Sequence, residues 1–166
     1  MALVLDGNNL LTTGVLNSMT TQSASGTYID FIGIPVGVKR VTAVYNVLST
    51  SGSYNHLLQI GSGSIKTSGY ASAATYVSGS VGYQQNTTGF VFYNGASSYA
   101  FSGAVTLYTL GSNIWVASGV VADYASQLTD QLAGSVTLSG ALDRVRFTTV
   151  NGTDTFDAGS VTVFYE

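Results

Sequence analysis

The stretch LDRVRFTTVNGTDTFDAGSVTVFYE (Leu142–Glu166) decides the fold class. In RVRFTTV (Arg144–Val150), Val145, Phe147 and Thr149 alternate with Arg144, Arg146 and Thr148. In SVTVFYE (Ser160–Glu166), Val161, Val163 and Tyr165 line one side. Successive side chains of an extended strand point to opposite faces, so a period of two with one apolar face predicts a half-buried strand. Between the two runs sits Asn151–Gly152, a dipeptide favoured in type I′ turns because both central residues need positive φ. The segment therefore predicts two strands joined as a hairpin.

The same period recurs upstream. RVTAVYNVL (Arg40–Leu48) places Val41, Ala43, Tyr45 and Val47 on one face, and AVTLYTL (Ala104–Leu110) sets Val105 and Leu107 against Ala104, Thr106 and Tyr108. Weaker strand candidates are Thr27–Ile34, His56–Gly61, Thr75–Val81, Gly89–Tyr93, Asn113–Val121 and Gly134–Ser139. Turn-formers separate them, among them STSGS (Ser49–Ser53) and NGASS (Asn94–Ser98). About ten short strands at this spacing predict an all-β chain: an antiparallel β-sandwich, jelly-roll-like. DYASQLTDQL (Asp123–Leu132), with Leu128 and Leu132 four apart, reads as one helical turn or a long loop. Residues 1–25 pattern weakly and read as a short extended N-terminal arm, leaving 26–166 as one domain.

Composition narrows the function classes. The 166 residues include 20 Gly and 11 Tyr but one Pro and no Cys, with five basic and eight acidic side chains. A chain that is 45% hydrophobic with a net charge of −3 is not of the disordered class, which couples low hydrophobicity to high charge. Lys39, Lys66, Arg40, Arg144 and Arg146 are the whole basic inventory. Phosphate backbones are held by clustered cations, so nucleic acid is not an expected partner. No apolar run approaches the roughly 20 residues of a membrane span. The opening MALVLDGNNLLTT reads as lacking a secretory leader, having only a few apolar residues and no basic start.

Catalytic chemistry has few carriers here. His56 is the only histidine, so any Ser–His–Asp arrangement would have to use it, and no G-x-S-x-G elbow accompanies it. GSGSIKT (Gly61–Thr67) has Ile65 where a phosphate loop needs Gly before its Lys, and reads as a Gly/Ser-rich turn with an exposed lysine. In NGTDTFDAG (Asn151–Gly159), Asp154 and Asp157 offer oxygens without the spacing of a calcium loop and read as turn-shaping residues. No catalytic residue, cofactor or metal is expected. Tyrosine is more informative: Tyr54, Tyr70, Tyr76, Tyr83, Tyr93, Tyr99 and Tyr124 fall near predicted loops and strand ends. Tyr combines apolar area, a hydroxyl and little rotamer entropy, which suits binding surfaces. Tyr54, Tyr93, Tyr99 and Tyr124 are the candidate contacts, to glycans or between subunits.

The segment Leu142–Glu166 resembles the ending of a family of tailed-bacteriophage virion proteins, the tail-fibre and tail proteins. Similar stretches are TYIDFIGIPVGVKRVTAVYNVLSTSGS (Thr27–Ser53), LLQIGSGSIKTSGY (Leu57–Tyr70) and TGFVFYN (Thr88–Asn94), and the opening MALVLDGNN is similar to leaders of longer members. The resemblance implies a non-enzymatic β-sandwich on the particle exterior, assembled as a homotrimer. It implies other virion proteins as partners, such as the major capsid protein or a tail or baseplate protein, and host surface polysaccharide for a receptor-binding member. Synthesis would be in the cytoplasm of the bacterial host. No coiled-coil or collagen-like shaft separates leader from β-domain here, which favours a capsid decoration (cement) protein or a short fibre gripping the particle through Met1–Ser25.

Overall fold

The alternating run that begins at Arg40 becomes a central strand of the wider of two packed sheets. The computed structural model describes residues 15–166 and, before them, a strand pair in which β1 (Val4–Asp6) runs antiparallel to β2 (Asn9–Leu11). Apart from that pairing, the first 14 residues of the expected arm lie outside the described residues. The strands that follow are β3 (Asn17–Ser18), β4 (Gln22–Ser23), β5 (Ile29–Ile32), β6 (Arg40–Thr50), β7 (His56–Ser62), β8 (Ser64–Ile65), β9 (Ala71–Ser78) and β10 (Ser80–Asn86). Then come β11 (Phe90–Phe92), β12 (Phe101–Gly111), β13 (Ile114–Asp123), β14 (Leu128–Thr137), β15 (Arg144–Thr149) and β16 (Phe156–Tyr165). There is no helix among the described residues.

These strands form an antiparallel β-sandwich. The wide sheet runs β10-β9-β14-β13-β12-β6-β16-β3, with β4 also on β16; the small sheet runs β11-β7-β15-β5, with β8 folded back on β7. Sequence places the boundary between arm and sandwich at residue 25; the pairing of β3 and β4 with β16 lays residues 17–23 along the wide sheet. Met19 N and Ala24 N extend that edge by donating to Val163 O and Gly159 O.

The inner faces follow the period of two. Val41, Ala43 and Tyr45 of β6, Val105 and Leu107 of β12, and Val161 and Val163 of β16 are buried from the wide sheet. Ile29 and Phe31, Leu58 and Ile60, Phe90 and Phe92, and Val145 and Phe147 meet them from the small one. Aromatic edges lock the centre: Tyr45 sits edge-on to Phe92 at 5.2 Å and to Phe147 at 5.1 Å, and Phe31 meets Phe147 at 5.8 Å. Such pairs add about 0.5–1.5 kcal/mol beyond the area they bury.

Three expectations need correction. Asn151–Gly152 does not close a hairpin: β15 belongs to the small sheet and β16 to the wide one. Gly152 alone takes positive φ (66°), and Gly152 N donates to Thr149 O. Asn151 is instead a side-chain brace, accepting from Thr149 Oγ1, Thr153 N and Asp154 N. Secondly, Val47 leaves the inner face. It has φ 52° and is half exposed, because the pairing of β6 slips at Phe101/Gly103 on one side and Ala158/Ser160 on the other. That is a β-bulge, which inserts a residue and reverses the alternation. Gly159 makes it feasible: its φ is +88° and a Cβ there would lie 2.2 Å from Val47 O.

The third concerns Asp123–Leu132, which is neither a helical turn nor a long loop. It holds the end of β13, a tight turn at residues 124–127 and the start of β14, the turn braced by Ala125 N on Asp123 Oδ1 at 2.9 Å and by Ser126 Oγ on Asp123 Oδ2, with Gln127 at φ 52°. Leu128 and Leu132 are both buried because a spacing of four keeps two residues on one face of a strand as it does of a helix.

Candidate functional site

Four of the connections gather at one end of the sandwich: residues 51–55 after β6, 93–100 after β11, 124–127 after β13 and 150–155 before β16. Their backbone is held by a buried polar network. Asn94, 2% exposed, donates from Nδ2 to Thr50 Oγ1 (3.1 Å), Gly52 O (3.1 Å) and Tyr54 O (3.3 Å). Its own N–H donates to Asn55 Oδ1 at 2.9 Å. One side chain thus clamps the loop from Gly52 to Asn55 against the exit of the small sheet. Asp154 closes the same loop from the other side, accepting from Tyr54 N at 3.1 Å and from Asn151 Nδ2 at 2.7 Å. Asp154 is therefore a turn residue, as its sequence context indicates. Among the described residues, no three His, Cys, Asp or Glu side chains converge as metal ligands.

His56 is at the base of this network. The ring is 2% exposed, 3.2 Å from Thr50 Oγ1, and sits edge-on to Phe101 (5.5 Å) and Phe156 (5.9 Å). Thr50 donates its own proton to Gly52 O, so the imidazole Nε2–H donates to Thr50. Burial pulls the imidazole pKa down to about 4, opposed by the negative charge of Asp154. A neutral, enclosed ring of this kind braces a loop.

The tyrosines divide into distinct groups. Tyr93 stacks on Tyr76, with ring centroids 3.8 Å apart and planes 8° from parallel, and Tyr99 lies 6.5 Å from Tyr93. Tyr93 and Tyr99 are therefore brought together, with Tyr76 as the third member. Gly82 and Gly95 leave room for the stack, since a Cβ at either would fall 2.2 Å from the Tyr76 or Tyr93 ring system. Beneath it, Tyr93 N donates to Asp130 Oδ2, and burial raises the Asp130 carboxyl to about 6. Desolvation also raises the Tyr93 hydroxyl. Tyr54 is half exposed on the clamped loop. Tyr124, 96% exposed, lines a cleft of about 790 Å³ with Val47, Ser102, Gln127 and Thr129.

Tyr70 is no surface residue. Its hydroxyl accepts from Ile60 N and contacts Ile60 O and Lys66 O at 2.9–3.2 Å, and burial pushes its pKa to about 12. GSGSIKT is the β7–β8 hairpin, closed on Gly63 at φ 71°, with Lys66 half-buried beside that tyrosine. One contributor, Asp130, had no signal in sequence, and another, Tyr76, was visible as a tyrosine but not as a candidate contact. Asp130 sits in a strand that its Leu128/Leu132 spacing left ambiguous, and Tyr76 gains its role only when β9 is set beside the loop after β11.

No protein-family model matches this chain, and no curated protein sequence matches it. The arrangement offers a flat aromatic stack and a shallow cleft with one fully exposed ring.

Proposed function

We propose that this chain is a non-enzymatic structural protein of the exterior of a tailed-phage virion, a homotrimeric capsid decoration (cement) protein or a short fibre. The observation that carries the reading is the likeness of Leu142–Glu166 to the endings of such proteins, and the place of that segment in the sandwich supports it. β15 is paired on both sides within the small sheet and β16 on both sides within the wide one. The order β4-β16-β6-β12 opposite β5-β15-β7-β11, with the chain changing sheets between β5 and β6, β6 and β7, and β15 and β16, supports reading the sandwich as jelly-roll-like. The enclosure of His56 and the engagement of Asp154 in a turn agree with a role that needs no turnover. The partner on the particle is the major capsid protein or a tail or baseplate protein, reached through the N-terminal arm.

Light scattering on the purified chain tests the assembly, with a mass near three times 17.2 kDa expected. Quantifying the chain in purified particles tests the location. A copy number on the scale of the capsid lattice assigns decoration, a handful assigns a fibre, and none at all overturns the virion role.

A second reading has one observation in its favour, the nearly bare Tyr124 ring on its cleft. An exposed aromatic face suits the apolar face of a sugar ring, which makes host surface polysaccharide the ligand. Loss of polysaccharide binding in Tyr124→Ala supports it; a panel of host polysaccharides that all fail to bind removes it.

A further inference from the structure

The charges are divided unequally between the two outer faces of the sandwich. The small sheet carries Asp30, Arg144 and Arg146 outward, paired as Arg146–Asp30 at 2.6 Å and, at the strand's start, Arg144–Asp143 at 2.7 Å. On the wide sheet, β9, β10 and β12 contain no charged residue at all. Asp123 of β13 and Asp130 of β14 are both buried. From Thr42 onward, β6 adds only Thr42, Val44 and Asn46 to the same outer face. Arg40, at the start of β6 and opposite Tyr108, is the one charged side chain these six strands turn outward, and it is paired with Glu166 at 2.8 Å at the corner of the face.

That face is also where exposed apolar side chains collect. Val77, Val81, Tyr83, Tyr108 and Val120 project from it, with Val81 and Tyr83 more than 70% exposed, and Leu110, also more than 70% exposed, lies at the bulge that ends β12. Six strands about 4.8 Å apart, each about seven residues long, span on the order of 700 Å². One partner of a stable interface contributes about 800 Å². The outermost strand, SVGYQQN (Ser80–Asn86), lacks the Lys, Pro or inward charge that natural sheets use to keep a free edge from pairing.

We propose that this charge-poor face is buried against further copies of the same chain, turned toward the axis of the homotrimer. The inference rests on the homotrimer reading and names the surface that makes it. A face turned to a three-fold axis meets both neighbouring copies, so one continuous patch suffices. Identical copies are the occupant that the chemistry favours. A charged partner finds only the already paired Arg40 at one corner, whereas like faces with so little charge meet with little repulsion and with few long side chains to immobilise.

The test compares Val120→Glu, in the middle of this face, with Ile32→Glu on the small sheet, each checked for an intact β-sheet spectrum by circular dichroism. Light scattering is expected to find a trimer for the wild type and Ile32→Glu and a monomer for Val120→Glu. A wild-type monomer overturns the homotrimer reading itself. A Val120→Glu protein that remains trimeric overturns only the choice of face. If Val120→Glu does not fold, the Cys-free background allows a milder comparison, maleimide labelling of Val120→Cys against Ile32→Cys. Labelling at least tenfold slower at Val120→Cys is expected; equal rates overturn the proposal.

Discussion

The rings of Tyr76 and Tyr93 lie face to face, 3.8 Å apart, and join the second strand of the wide sheet to the loop that leaves the small one. Neither residue has a sequence neighbour that announces the other. The contact ties two sheets together at the end where the loops gather.

The stack is expected to be energetically coupled. Tyr76→Leu, Tyr93→Leu and the double variant, compared by urea unfolding, should give a coupling of about 0.5–1.5 kcal/mol. Strict additivity of the two losses would show that the rings merely share a location.

Two glycines separate conformation from space. Gly159 has φ +88° and a Cβ there would meet Val47 O at 2.2 Å, whereas Gly152 has φ +66° with nothing within 4 Å. Gly152→Ala should cost about 1–2 kcal/mol, the penalty of left-handed backbone alone. Gly159→Ala should cost more, since the bulge at Val47 must also shift. Thermal unfolding of the pair decides; an equal loss would remove the steric part of the argument.

Acid stability should depend on two buried groups acting in opposite senses. His56, with its folded pKa lowered to about 4, leaves the unfolded chain binding the extra proton between about pH 6.5 and 4, so its contribution falls on acidification. Asp130, raised to about 6, holds a proton in the folded state that the unfolded chain has lost above about pH 4, so its contribution rises on acidification from 6 to 4. The two nearly cancel in that window. Asp130→Asn removes one of them and should lose stability by on the order of 1.4 kcal/mol per pH unit from 6 towards 4 relative to wild type. Denaturation midpoints at three pH values measure this; parallel profiles for the two proteins would refute it.

The outer face of the small sheet tests the geometry of an ion pair. Arg146 grips Asp30 through Nε (2.7 Å) and Nη2 (2.6 Å) while its guanidinium lies 4.1 Å over the Tyr28 ring. Lysine can neither fork nor stack in this way. Arg146→Lys should cost about 0.5–1 kcal/mol, the range of a partly exposed pair, and the cost should shrink in a Tyr28→Ala background. An unchanged cost there would assign all of the effect to Asp30.

Period-two alternation made β6, β12, β15 and β16 legible because it reports a face, and each of these strands has one buried face. It failed where that premise failed. β7 is buried on both faces from His56 to Gly61, so its residues alternate in nothing. Val47 broke the pattern through a bulge whose cause, Gly159, lies more than a hundred residues away. Thr75–Val81 looked like one strand but straddles the turn at Gly79, which takes φ 68° between β9 and β10. The loop-end site was less legible still. Tyr93 and Tyr99 are visible as a local pair, but Tyr76, Asn94 and Asp130 join them only through sheet packing.

The pairing of β16 with β3, β4 and β6 sets an order of events in synthesis. β6 waits for more than a hundred residues before its second neighbour leaves the ribosome, and β3 and β4 have no strand to pair with until then. Chains dominated by such distant pairings fold slowly. The segment of β3 and β4 is therefore made well before the strand it pairs with and is among the last parts to be docked. The free edge of the wide sheet is thus closed by its earliest and latest strands together, so a chain that has not completed β16 leaves the edge of β6 open.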